Sequence, residues 1–216
     1  MSIKTCLFDF DGTLVDSMPT YVAAMVRLLD EHHVVYGDDL VKTITPLGLL
    51  GAARYFQSIG LDMTVEEQIL AMKKHMLEAY LYHIPAKNNV VRVLRELQGK
   101  VELNVLTASP HVTLDACLKR LGIFDCFANV WSCDDFATTK SDPEIYRMAA
   151  QRLGMLPDEI LFLDDNLDAD KTAKQAGLKV CGVYDDASRD YIDQMKAAAD
   201  AFIDDFSQLP DVLKSL

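Results

Sequence analysis

Short apolar runs of β-prone residues recur along the chain, at Thr5 to Phe10, Glu102 to Leu106, Ala128 to Ser132, Ile160 to Leu163 and Val180 to Val183. Between the later runs the apolar positions follow helical spacing, near Asn89 to Leu97, Val112 to Leu121, Pro143 to Leu153 and Asp168 to Ala176. These stretches are about as long as crossover helices. Alternating strand and helix predicts an α/β fold, a doubly wound, Rossmann-like parallel sheet covered on both faces. Such a sheet takes its ligands at the carboxyl ends of the strands.

One stretch breaks the alternation. From Ser17 to Ile84 only helical periods appear, at Tyr21 to Leu29, Leu49 to Phe56 and Val65 to Tyr82. It predicts a helical cap domain, residues 17–84, inserted after the first strand, with a core domain of residues 1–16 and 85–216. Pro85 and Asn88-Asn89 mark the return to the core.

Composition narrows the function classes. The 216 residues, 50% hydrophobic, suffice for one buried core and a modest insertion. Cys6, Cys117, Cys126, Cys133 and Cys181 form no C-x-x-C pair and are odd in number, which suits neither a disulfide framework nor a zinc site. They suit a reducing cytoplasm, the expected location. The opening MSIKTCLFDFDG reads as a strand, not as a signal peptide, and no apolar run approaches the roughly 20 residues needed to span a bilayer. A net charge of −12 without a basic cluster argues against nucleic acid and anionic membrane as partners. The same charge repels phosphate esters, so any phosphate site must concentrate positive charge of its own.

Candidate chemistry collects where strands end. Strand alternation puts Asp9 and Asp11 on one side, ahead of Gly12 and Thr13, although Asp-Gly is also an ordinary turn. The second run delivers Thr107-Ala108-Ser109, whose hydroxyls and amides suit phosphate oxygens or, alternatively, cap the next helix. Lys140 precedes a helix starting near Pro143 and is either solvated surface or a positive charge aimed at Asp9. The fourth run leads into Asp164-Asp165-Asn166. Adjacent carboxylates there repel and invite a hard divalent cation of magnesium type, with helix capping as the plainer reading. His75, His83 and His111 read as surface or packing residues, and Trp131 as sheet core.

Asp9-Phe10-Asp11-Gly12-Thr13, Thr107, Lys140 with Pro143, and Asp164-Asp165, in this order, resemble the haloacid dehalogenase-like hydrolase superfamily across essentially the whole chain. The likeness is to its phosphatase branch with a small helical cap. The resemblance implies that Asp9 is nucleophile and Mg2+ ligand, and that Asp11 binds the metal through its carbonyl while its carboxyl serves as acid and base. It also implies that Asp165 and Asp164 complete the metal site. Gly12, Thr107, Ala108, Ser109 and Lys140 would then hold the phosphate. Asp11 argues against hydrolytic dehalogenases, which lack it. Relatives of the β-phosphoglucomutase type carry a cap histidine and arginine where this chain has Tyr21 and Gly51, which disfavours a mutase. Phosphonate-cleaving relatives use a cap lysine, for which Lys42, Lys73 and Lys74 stand as candidates. The expected partner is a small phosphorylated metabolite, with specificity near Tyr21, Gly48 to Arg54, Lys73 and Lys74. A catalytically silent binding protein is the alternative from another class.

Overall fold

The computed structural model describes residues 3–216, apart from the side chain of Pro46. Strand β1 (Thr5–Phe8) leads into helices α1 (Met18–Glu31), α2 (Leu40–Ile44), α3 (Gly48–Ser58) and α4 (Val65–Tyr82). There follow α5 (Val90–Leu97), β2 (Glu102–Thr107), α6 (His111–Arg120), β3 (Asn129–Ser132), α7 (Pro143–Leu153) and β4 (Ile160–Asp164). The chain closes with α8 (Leu167–Gln175), β5 (Lys179–Val183), α9 (Ile192–Ala198), β6 (Ala201–Ile203) and α10 (Leu209–Ser215).

All strand pairs are parallel, in the order β3-β2-β1-β4-β5-β6. The order reverses between β1 and β4, and a doubly wound sheet opens its ligand crevice at that point. Register then decides what meets there. Phe8 lies opposite Leu163, so Asp9 and Asp164 follow side by side on adjacent strands. The two central strands are mostly apolar because both faces are covered: Thr5–Phe8 and Ile160–Asp164 are buried at every position. Helix α5 shows the complementary pattern, burying Val90, Val93, Leu94 and Leu97 at helical spacing while Arg92, Arg95 and Glu96 face water. All five cysteines are free and buried, and all lie in this sheet-bearing part of the chain.

The chain divides into two compact units, one of Ser17–Ile84 and one comprising the segment up to Asp16 together with Pro85–Leu216. The first is built by α1, α3 and α4, which bury Met25, Leu28, Leu29, Phe56, Met72 and Met76 together. Thr64 and Glu67 form a capping box that starts α4. His75 is a packing residue, buried with Nδ1 3.2 Å from the Ala24 carbonyl oxygen and Nε2 3.0 Å from Glu31. Lys42, Lys73 and Lys74 are all exposed. A Schiff-base lysine needs burial or a cationic neighbour to lower its proton affinity, and exposure does not supply the first.

Two expectations need correction, and one strand was not expected at all. The first strand ends at Phe8, not Phe10, because the Leu14 and Val15 amides both donate to the Phe10 carbonyl, at 2.9 and 3.0 Å, and curl the chain. Strand β6 and its flanking helices α9 and α10 escape the apolar pattern, since β6 has only three residues between Asp200 and Asp204. Trp131 is half-buried on edge strand β3, packed edge-to-face on Phe136 at 5.5 Å.

Candidate active site

The carboxyl ends of β1 and β4 bring three carboxylates together. Asp9, Asp164 and Asp165 each offer an oxygen within 4.8 Å of the others'. Asp9 is 4% exposed and Asp164 fully buried. Lys140, in the loop before α7, donates to Asp9 Oδ1 at 2.6 Å and to Asp164 Oδ2 at 2.7 Å. The Asn166 amide donates to Asp164 Oδ1 at 2.8 Å, and the Thr13 hydroxyl to Asp165 Oδ1 at 3.0 Å.

Three carboxylates against one ammonium leave this group two charges short of neutral when all are ionised. The protonation equilibria register the deficit. Burial, with Asp164 and Asp11 adding to it, pushes the Asp9 carboxyl up to about 7 even though Lys140 pulls the other way. Burial and then Asp164 and Asp9 lift Asp165 well above the carboxylate range, with Asp185 contributing. Burial works against the Lys140 ammonium, but Asp164 and Asp9 outweigh it and hold its proton more tightly than usual. Buried oxygens of one sign at this spacing suit a hard divalent cation, which would supply the missing charge.

The plainer readings of these segments fail on geometry. Asn166, not an aspartate, caps α8, accepting from the Asp168 and Ala169 amides at 2.9 and 3.1 Å. Pro110 stands at the N-cap of α6, and no side chain caps that helix. Lys140 is held between carboxylates, its side chain only 16% exposed. Asp-Gly does form a turn, and the turn serves the site. Gly12 has φ +77°, and a Cβ there would lie 2.6 Å from Asp165 Cγ, so its backbone sits directly against that carboxylate.

The sheet end also brings the residues that follow β2 against the first loop. Ser109 donates its hydroxyl to Asp11 Oδ2 in a short hydrogen bond, and its amide to Thr107 Oγ1 at 3.1 Å. Ser109 thus holds Asp11, a part the sequence did not assign it. His111 begins α6 and bridges Asp115 and Asp135, both at 2.9 Å. Those hydrogen bonds, Asp115's first, raise its proton affinity against a small cost of burial.

Four neighbours were missed from sequence. Thr13 secures Asp165. Lys87 and Asp185 pair at 3.0 Å beside the first loop. Asp170, fully buried on α8, has no hydrogen-bond partner for either carboxylate oxygen among the described residues, and burial followed by Asp164 and Asp165 pushes it up to about 9. Only Thr13 carried a signal, its place in the Asp9 to Thr13 run. Lys87 and Asp185 are remote from one another in sequence, and Asp170 lies in no motif.

The model of one family, haloacid dehalogenase-like hydrolase, matches residues 3–177. Among curated relatives, phosphoglycolate phosphatase of Rhodospirillum rubrum is 29% identical over 97% of this chain and 90% of its own. N-acetylmuramic acid 6-phosphate phosphatase of Pseudomonas aeruginosa is 26% identical over 99% of this chain and 96% of its own. Among solved structures, magnesium-bound YfnB of Bacillus subtilis superposes with a TM-score of 0.85 at 18% identity, covering 99% of this chain and 100% of that one.

Proposed function

Because this chain belongs to the haloacid dehalogenase-like hydrolases, we propose that it is a magnesium-dependent phosphatase of a small phosphorylated metabolite, with Asp9 as nucleophile. The buried group of Asp9, Asp164 and Asp165 around Lys140 carries this reading. Asp9, Asp164, Asp165 and the Asp11 carbonyl would hold Mg2+, which when bound neutralises carboxylate charge and polarises the phosphoryl oxygens.

The chain's own residues account for the remaining steps. Attack by a carboxylate on a phosphate dianion is opposed by about 4 kcal/mol for each pair of unit charges about 4 Å apart at an effective dielectric near 20. Lys140 sits where that opposition is greatest, against the attacking oxygen set. The Gly12, Thr107 and Ala108 region would receive the phosphate oxygens. As the Asp9 oxygen bonds to phosphorus, the ester P–O bond breaks and the leaving alkoxide takes a proton from the Asp11 carboxyl. Asp11, steadied by Ser109, then removes a proton from water, whose oxygen attacks phosphorus and frees Asp9 and inorganic phosphate.

The two relatives are named for phosphoglycolate and for N-acetylmuramic acid 6-phosphate, and that difference supports a substrate choice made outside the shared core. Specificity belongs to the 17–84 cap, near Tyr21, Gly48 to Arg54, Lys73 and Lys74. The buried free thiols favour a reducing cytoplasm, and no helix among the described residues is long and apolar enough to cross a membrane. Incubation with p-nitrophenyl phosphate and magnesium should release phosphate, EDTA should stop it, and added magnesium should restore it. Activity indifferent to both treatments overturns the metal's part. Isomerisation of a sugar phosphate without phosphate release would instead favour a mutase, against the tyrosine and glycine at positions 21 and 51.

A further inference from the structure

Lys87 enters the core unit three residues after Ile84, and its ammonium is shared among three oxygens. It donates to the Gly12 carbonyl at 2.6 Å, to Asp185 Oδ2 at 3.0 Å and, in a short hydrogen bond, to the Tyr184 carbonyl. An ammonium has three N–H donors. All three are engaged on protein oxygens, so Lys87 is ill suited to bind a substrate anion and well suited to fix the groups it touches.

Those groups belong to two different strand ends. Gly12 lies in the turn after β1, next to Asp11 and against the Asp165 carboxylate. Tyr184 and Asp185 follow β5. The Lys87 backbone reinforces the join, its amide donating to the Leu14 carbonyl at 3.0 Å, and Ala86 pairs with Val15. The Gly12 amide is itself tied to the Val15 carbonyl at 2.9 Å. Both polar backbone groups of Gly12 are therefore fixed, one by its own turn and one by Lys87.

The geometry points to Lys87 as a positioning residue that clamps the Asp11-Gly12 turn to the end of β5, and so holds the Asp11 carboxyl in register with Asp9. The catalytic half of this inference rests on the phosphatase reading, and the clamp itself does not. A positioning error of about 1 Å costs on the order of 100-fold in rate.

Lys87→Met alone would strand the buried Asp185 carboxylate, so the informative variant is Lys87→Met with Asp185→Asn, compared with Lys87→Arg. Expected for the double variant is a fall in kcat of about 10- to 100-fold on p-nitrophenyl phosphate with KM within about 3-fold. Lys87→Arg should recover part of it. Hydrogen exchange on the peptide spanning residues 9–16 should quicken in the double variant while peptides from α7 and α8 keep their protection. Wild-type kcat with unchanged exchange in the double variant overturns the proposal, as does a rise in KM at constant kcat, which would mark a substrate contact. Should the wild-type protein release no phosphate from any ester, the phosphatase reading falls, and exchange at residues 9–16 alone decides the clamp.

Discussion

At the amino ends of β1 and β2 the buried polar groups close on one another. Thr5 donates its hydroxyl to the Glu102 carbonyl at 3.0 Å and accepts from Asn104 at 2.8 Å, while Asn129 donates to the Asn104 side-chain carbonyl at 2.7 Å. At the carboxyl ends of the neighbouring strands β1 and β4, Asp9, Asp164 and Asp165 crowd together with one lysine paired to the first two, and Asp170 has no hydrogen-bond partner among the described residues. Both ends bury polar atoms, but only one leaves them in deficit. The amino end follows the usual rule that buried polar groups are paired. The carboxyl end departs from it with charges of one sign, and such departures in a doubly wound fold gather where ligands bind. Stability is expected to reside at one end and chemistry at the other.

Substitutions can break this division. The largest effect should come from Asp9→Asn, with phosphate release falling on the order of 10⁴-fold or more and the circular-dichroism spectrum unchanged. Substantial residual turnover would remove Asp9 from its role. Asp11→Asn should cost about 10²- to 10⁴-fold while the magnesium-induced rise in melting temperature is kept, since the carbonyl remains. Loss of that rise would make the carboxyl a ligand instead.

At the other end, Asn104→Ala should lower stability by about 1–3 kcal/mol by stranding its partners, or about 2–4 °C of Tm per kcal/mol. Activity per folded molecule should stay at the wild-type level. A fall in kcat at unchanged Tm would erase the distinction between the two ends.

Asp170 sharpens the comparison through pH. Its folded carboxyl is raised to about 9 against an ordinary value of 3.8, so the native state holds the proton more tightly than the unfolded chain. Its contribution to stability is fully present below pH 4 and is lost as pH rises to about 9. In metal-free protein, Asp170→Asn should therefore raise Tm at pH 8 by a few degrees, about 2–4 °C per kcal/mol, and change it little at pH 4. An equal shift at both pH values would mean that charge is not the cause.

The parts of this arrangement legible in sequence are those written in consecutive residues. Asp9 to Thr13 and Asp164-Asp165 stand directly after apolar runs, so strand-end placement follows from local pattern alone. Lys140 was legible only in company with them. Lys87 and Asp185 are 98 positions apart and meet only because β5 lies two strands from β1, a relation no local period encodes. Asp170 reads as one more acid on a helix that also carries Asp168, and only the packing of α8 separates the buried one from the exposed one. Strand β6 failed for lack of length, since three residues cannot display an alternation.

The buried thiols give the molecule a built-in clock. None of the five lies between Ser17 and Ile84, and burial pushes Cys6 up to about 12, so a thiol-reactive dye finds little to modify while the sheet is closed. Labelling under native conditions would time the opening of the sheet-bearing unit alone, leaving melting of the four-helix insertion invisible to it. Compared with a global probe such as circular dichroism, the dye would tell whether the two units unfold in one event or in two.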